Sequence, residues 1–249
     1  MSVHFKYVNI LGINFDDLTL SELIAHLKDD SQHHRNRFIV TANPEIVLAA
    51  YHDFAYRQVI NNADYVTADG IGIIKGAQIL NDPLPGRVTG YDTFLKLLQY
   101  TNHYHKKVYF LGAKPQVLTQ MISNIRSHYP HLRIVGAHDG YFNNEQLIIT
   151  QIQQTQPDFI FVALGFPKQE FFIAHHRQIA NAIWMGVGGS FDVLSGTIKR
   201  APQFWIDHHL EWLYRLLQEP SRFKRMLALP LYLILVYKQK IQHKLNQKK

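Results

Sequence analysis

The 249-residue chain predicts an α/β fold: a Rossmann-like, mainly parallel sheet flanked by helices, with a basic helical appendage at its C-terminus. Three observations carry this. Short apolar runs recur along the chain, separated by helical-period segments of ten or more residues, the signature of βαβ units. The run Asp158 to Leu164 (DFIFVAL) is almost wholly apolar, as a strand covered on both faces must be. Charge then changes regime after Ile198: residues 1–198 carry 15 Lys+Arg against 16 Asp+Glu, and residues 199–249 carry 11 against 3. Such asymmetry marks a segment that meets an anionic partner.

The elements follow in order. Thr19-Leu20-Ser21-Glu22 reads as a capping box opening a helix whose apolar face holds Leu23, Ile24 and Leu27. Phe38 to Thr41 is a strand, turned at Asn43-Pro44 into a helix from Glu45 to about Asn61. Tyr65 to Thr67 is a second strand, ending at Ala68-Asp69-Gly70 before a helix from Gly72 to Leu80. Lys107 to Leu111 is a third, closed by Gly112-Ala113 and followed by a helix through Ile125. Arg133 to Gly136, Asp158 to Leu164 and Ile183 to Val187 complete six strands. Gly196 to Pro202 reads as a linker. Phe204 to Leu217 has helical spacing, Pro220 breaks it, and a basic helical pattern runs from Ser221 to Leu229. The expected division is therefore residues 1–198, an α/β catalytic domain, and residues 199–249, an appendage of two or three amphipathic helices.

Composition narrows the function. Hydrophobic residues make up 47%, enough for a sizeable core, and the absence of cysteine excludes disulfides, a thiol nucleophile and thiolate metal sites. The first residues do not have the form of a secretion signal. The longest uncharged apolar run, Met226 to Tyr237, has 12 residues, interrupted by Pro230. It is shorter than the ~20 residues a membrane span needs, but suited to lying in an interface. Neither GxGxxG nor GxxxxGK[ST] occurs, no Asp-x-Asp is available to hold a metal on a diphosphate, and no GxSxG elbow is present. The pairs His33-His34, His175-His176 and His208-His209 lack the spacing of a helical zinc site, so no metal site is expected.

In open α/β sheets ligands bind beyond the carboxyl ends of the strands, so the polar and glycine residues there are the candidates. Asp69 is placed either to cap the following helix or to act as a general base toward a sugar hydroxyl. Thr41 and Asn43 can bind a polar ligand or close a local turn before Pro44. Arg87, in LPGRVTG, can grip a diphosphate or stand as a surface charge. Gln169 follows Pro167 near a helix start and can face a substrate. Gly165 and Gly188-Gly189 allow close backbone approach or tight turns, and Asp192 can bind a ribose hydroxyl or cap a helix. In the appendage, Arg200, Arg215, Arg222 and Arg225 alternate with Trp205, Trp212, Tyr214 and Phe223. This fits a membrane-surface helix pair or a solvated basic face; no nucleic-acid-binding module accompanies the charge, and no nucleic acid partner is expected.

Taken together, TANPEI (Thr41–Ile46), ADGIGI (Ala68–Ile73), LPGRVTG (Leu84–Gly90), GYF (Gly140–Phe142), LGFPKQE (Leu164–Glu170), GVGGSFD (Gly186–Asp192) and then LEWLYRLLQEPSR resemble the WecG/TagA/CpsF glycosyltransferase family, and most closely its TagA branch. The resemblance spans about residues 5–235. It implies an inverting transferase with no metal or other cofactor, moving N-acetylmannosamine from a UDP-sugar donor to the 4-hydroxyl of N-acetylglucosaminyl-diphospho-undecaprenol, in wall teichoic acid linkage-unit synthesis. Asp69 would be its base. Thr41, Asn43, Arg87 and Gln169 would line the sugar pocket, and Tyr141, Gly189 and Asp192 fall in motifs assigned to the UDP half. The four arginines would hold the lipid diphosphate, with the appendage docked peripherally on the cytoplasmic face of the cell membrane. Oligomerisation is compatible with the resemblance. The alternative within the family is a transferase using another UDP-sugar, glucose or a mannosaminuronate, for capsule or exopolysaccharide synthesis.

Overall fold

A computed structural model of the chain describes residues 5–208, 210–218, 223 and 228–246. It opens on an antiparallel hairpin, β1 (Tyr7–Ile10) and β2 (Ile13–Asp16). The hairpin escapes the sequence pattern because its two-residue turn is Leu11-Gly12, both with positive φ (52° and 88°), rather than an Asn-Gly pair. Leu11 takes up the left-handed region with its side chain buried, so packing offsets the local backbone cost.

The main sheet has six strands, all parallel: β3 (Arg37–Ala42), β4 (Tyr65–Ala68), β5 (Lys107–Gly112), β6 (Arg133–His138), β7 (Phe159–Ala163) and β8 (Ile183–Gly186). Their order is β4-β3-β8-β7-β5-β6. Alternate side chains feed two separate cores, the direct result of the two-residue period of a strand. Tyr109, Leu111, Ile160, Val162 and Trp184 enter one; Val108, Phe110, Phe159, Phe161, Ile183 and Met185 enter the other. The first core is covered by α2 (Pro44–His52), α3 (Phe54–Asn61), α4 (Ile71–Ile79), α7 (Glu145–Thr155) and α8 (Lys168–His176). The second is covered by α1 (Leu20–Gln32), α5 (Gly90–His103), α6 (Pro115–His128) and α9 (Ser190–Ser195).

The capping box of α1 is present, with the Thr19 hydroxyl accepting from Glu22 N and the Glu22 carboxylate accepting from Thr19 N. The helix expected from Glu45 to Asn61 is two helices. Asp53 leaves helical geometry (φ −120°, ψ 106°) and its Oδ1 accepts from Tyr56 N at 3.0 Å, capping α3 and turning it onto a new line.

Beyond Ala201 come α10 (Gln203–Asp207) and α11 (Glu211–Gln218), so the helical spacing from Phe204 to Leu217 also divides in two. The break at Pro220 and most of the basic pattern from Ser221 to Leu229 fall outside the described residues. The last helix, α12 (Ala228–Asn246), keeps Pro230 in its first turn, where a missing N–H costs nothing. It returns to the body. Tyr232 and Val236 are fully buried in the first core. They seat against α4, where Gly72 and Gly76 lie one turn apart: a Cβ at Gly72 would fall 2.8 Å from Leu229, and one at Gly76 would fall 2.1 Å from the Tyr232 hydroxyl. Further along, the Gln239 amide donates to Asn9 O and accepts from Leu11 N, both at 2.9 Å, clasping the β1–β2 turn. Among the described residues, no helix is long and apolar enough to cross a membrane.

Candidate active site

The strand registers bring the carboxyl ends to one level. Ala42 pairs with Ala68, Val162 with Gly186, and Gly112 with Ala163, so the segments that follow form a single rim. β3 and β8 are neighbours whose next helices, α2 and α9, leave for opposite faces; β5 and β7 are related in the same way through α6 and α8. These are the switch points at which open α/β sheets form crevices.

Asp69 follows β4 directly. The cap position of α4 falls to Gly70, at φ 103° and without a side-chain bond, so Asp69 does not cap that helix. Its Oδ2 instead accepts from Gly90 N, the first residue of α5, at 3.2 Å. Thr41, at the same rim one strand over, closes the group. A Cβ on Gly90 would stand 2.7 Å from Thr41 Oγ1 and 3.5 Å from Asp69 Oδ2, so only glycine lets the start of α5 approach both. Gly90 is a site residue that sequence reasoning passed over; its signal was its place at the end of LPGRVTG. Asn43 takes the local role anticipated for it, its Oδ1 capping α2 through Ile46 N at 3.0 Å.

Two ion pairs tie the C-terminal segment to this place. Arg87 is neither solvated nor open: its guanidinium lies 2.6 Å from the Glu211 carboxylate on α11, and both side chains are largely buried. Arg200 pairs with Asp92 in the first turn of α5 and lies over the Tyr91 ring, 4.8 Å from its centroid. Arg215 lies on α11. Arg222 and Arg225 lie outside the described residues.

Gln169 is 5% exposed and turned inward, with Nε2 donating to Glu170 Oε1 at 2.7 Å and Oε1 accepting from Gly188 N at 3.1 Å. Gly186 makes room for it, since a Cβ there would lie 2.8 Å from the amide nitrogen. Glu170, buried beside it, accepts from the Tyr56 hydroxyl at 3.0 Å. Burial raises the Glu170 carboxyl above the usual carboxylate range, against the lowering effect of these donors, and raises the Tyr56 phenol as well. Glu170 and Tyr56 had no sequence signal beyond their proximity to a motif. Through Gln169 they fix the Gly188-Gly189 turn, where Gly188 has φ 49°. Asp192 sits beside that turn in the first turn of α9.

Tyr141 and Gly165 lie on the loops after β6 and β7. Gly165, at φ 74°, has open space where a side chain would stand. The loop carrying Tyr141 leans toward it, with Gly140 N on Ala113 O at 2.9 Å and a Gly140 Cβ position 3.2 Å from Leu164. Tyr141 itself is 69% exposed. The Thr41–Asp69–Gly90 group lies toward the β4 edge and these loops toward β5 and β7, with the Gly188-Gly189 turn between them. Among the described residues no three His, Cys, Asp or Glu side chains gather as a metal site would require.

Residues 8–246 match the glycosyl transferase WecG/TagA/CpsF family. The chain belongs to that family. Among its curated relatives is a Bacillus spizizenii protein, 41% identical over 228 residues, covering 91% of this chain and 89% of its own. A Bacillus subtilis protein is 43% identical over 202 residues (81% and 79%), and one from Staphylococcus aureus is 37% identical over 237 residues (94% and 93%). All three are named N-acetylglucosaminyldiphosphoundecaprenol N-acetyl-beta-D-mannosaminyltransferase. In this WecG/TagA/CpsF member the rim therefore belongs to a glycosyl transferase, and the positive-φ glycines Gly165 and Gly188 follow the adjacent strands β7 and β8 at the middle of the sheet.

Proposed function

We propose that the chain transfers N-acetylmannosamine from a UDP-sugar to the 4-hydroxyl of N-acetylglucosaminyl-diphospho-undecaprenol, in the synthesis of the wall teichoic acid linkage unit. Support comes from the shared name of relatives aligned over most of their length. The observation that carries the chemistry is the meeting of Thr41, Asp69 and Gly90 at one end of the rim. There the Asp69 carboxylate, oriented by Gly90 N–H, takes the proton of the acceptor hydroxyl. The acceptor oxygen forms its bond to the anomeric carbon from the face opposite UDP. The bond from that carbon to the diphosphate oxygen breaks, its electron pair leaves with UDP, and the configuration inverts.

The departing diphosphate gathers charge, and preorganised donors stabilise it. The Gly188-Gly189 turn, held by Gln169, is suited to present backbone N–H groups, with Asp192, Gly165 and Tyr141 toward the nucleoside. Arg200, Arg215, Arg222 and Arg225 are read as the cations that meet the lipid diphosphate, with Arg87 on the sugar side, in a reaction that needs no metal. Peripheral docking on the cytoplasmic membrane surface is supported by α12. Leu231, Ile234, Ile241 and Leu245 form an exposed apolar stripe on this helix, with Lys238 and Lys244 beside it.

Asp69→Asn tests the assignment. Turnover with UDP-N-acetylmannosamine and a short-chain lipid-diphosphate acceptor, measured in EDTA, is expected in the wild type and reduced about 10²-fold or more in the variant. UDP binding should persist in both. Undiminished turnover by the variant would remove Asp69 from the role of base.

A further inference from the structure

One cavity has no part in the chemistry above. It is a partly open hollow of about 270 Å³ between α4, α12 and the residues that join α10 to α11. Ile71, Gly72 and Lys75 form the α4 wall, His208, Leu210 and Trp212 the second, and Leu229 and Leu233 the third. Five of these side chains are apolar, and the polar ones are Lys75 and His208. A cavity of ~150 Å³ lined by aliphatic and aromatic groups already accepts a six-carbon ring, so this one has room for one or two branched five-carbon units.

Its position gives it meaning. Ile71 stands two residues after Asp69, and Lys75 lies four residues further along α4, about 6 Å along the helix. The wall of the hollow thus begins two residues from the base and carries a cation one turn further on. A sugar linked through diphosphate to a prenyl chain brings a matching set of groups: a hydroxyl for the base, phosphates for the cation and branched hydrocarbon for the hollow. The cavity also opens beside the helix that carries the exposed apolar stripe, since Leu229 and Leu233 line it while Leu231 and Ile234 face outward.

Resting on the acceptor class proposed above, we infer that this cavity holds the first one or two isoprene units of the lipid acceptor, with Lys75 against its diphosphate. The cavity thus measures the acceptor by its hydrocarbon, and the arginines of the appendage are not alone in recognising it.

The test compares two acceptors on the full-length chain: N-acetylglucosaminyl diphosphate carrying a farnesyl tail, and the same diphosphate carrying a methyl group. Leu233→Trp, and separately Leu210→Trp, fill the hollow. Each is expected to lower the ratio of kcat/KM for the farnesyl over the methyl acceptor about tenfold or more, the scale of losing burial for a few methylene groups. Lys75→Ala is expected to weaken both acceptors alike. A parallel calorimetric titration with farnesyl diphosphate and methyl diphosphate reads the same preference without turnover. Wild-type preference for the farnesyl compound, lost in both tryptophan variants at unchanged melting temperature, supports the site. A preference that survives both variants, or its absence in the wild type, overturns it. Failure of the wild type to transfer sugar to either acceptor, with the binding preference intact, would instead count against the reaction assigned above.

Discussion

Gln169 shows how far a side chain's chemistry depends on its neighbours. An ionised carboxylate only accepts hydrogen bonds, so Glu170 draws the amide nitrogen of Gln169 toward itself and leaves Oε1 for Gly188 N. Glu170→Leu would strand the Tyr56 hydroxyl and the Gln169 amide without an acceptor. A loss of about 2–4 kcal/mol in urea unfolding is expected, and Glu170→Gln should recover much of it. The sequence announced a helix start at Pro167 but not the inward turn of Gln169 two residues on, because Gly186, the glycine that admits it, lies 17 positions away. Asp69 was ambiguous for a related reason. Asp before a helix is a good cap by propensity, and only the arrival of Gly90 from another element gives its carboxylate a different partner.

At the level of elements, the strands were readable because five of the six carry dense apolar runs, and burial on both faces leaves little else for such runs to do. Helix boundaries were less so: Asp53 divides α2 from α3 within one continuous apolar rhythm. The destination of α12 was the least legible. A helix apolar on more than one side reads alike whether it meets a membrane or a protein, and the choice rests on Gly72 and Gly76 more than 150 residues upstream. That interface carries an orphan. The Tyr232 hydroxyl is buried with no hydrogen-bond partner among the described residues. Tyr232→Phe should therefore stabilise the chain by about 1 kcal/mol in thermal melts. Gly76→Ala should destabilise it by about 1–3 kcal/mol, and less in the Tyr232→Phe background, a coupling that a double-mutant cycle would read.

For the whole molecule, the edge of the sheet at β4, covered by β2, sets a pH dependence. Asp16 Oδ2 accepts from Val66 N at 2.7 Å, covering an edge donor, yet burial pushes its carboxyl up to about 6. The native state thus holds a proton that the unfolded chain has lost between pH ~4 and ~6. Stability from this group is greatest below that window and falls as pH rises through it. Glu170, raised in the same direction, adds to the trend. Asp16→Asn keeps an acceptor for Val66 and removes the charge. Its unfolding free energy, read from urea melts, should gain on the wild type between pH 4 and 7, by an amount on the order of 1–3 kcal/mol at neutral pH. Equal pH profiles for the two proteins would show that Asp16 titrates normally.

Because Tyr232 and Val236 complete one wall of the main core, trimming the chain near residue 200 to obtain a lipid-free enzyme would strip an inner surface bare along with the outer one. Such a fragment would clump for reasons unrelated to membranes, and its failure to float with vesicles would teach little. Charge or polar replacements at Ile234, Ile241 and Leu245, which point away from the body, offer the cleaner instrument: they change what the helix shows to the outside and leave what it plugs within.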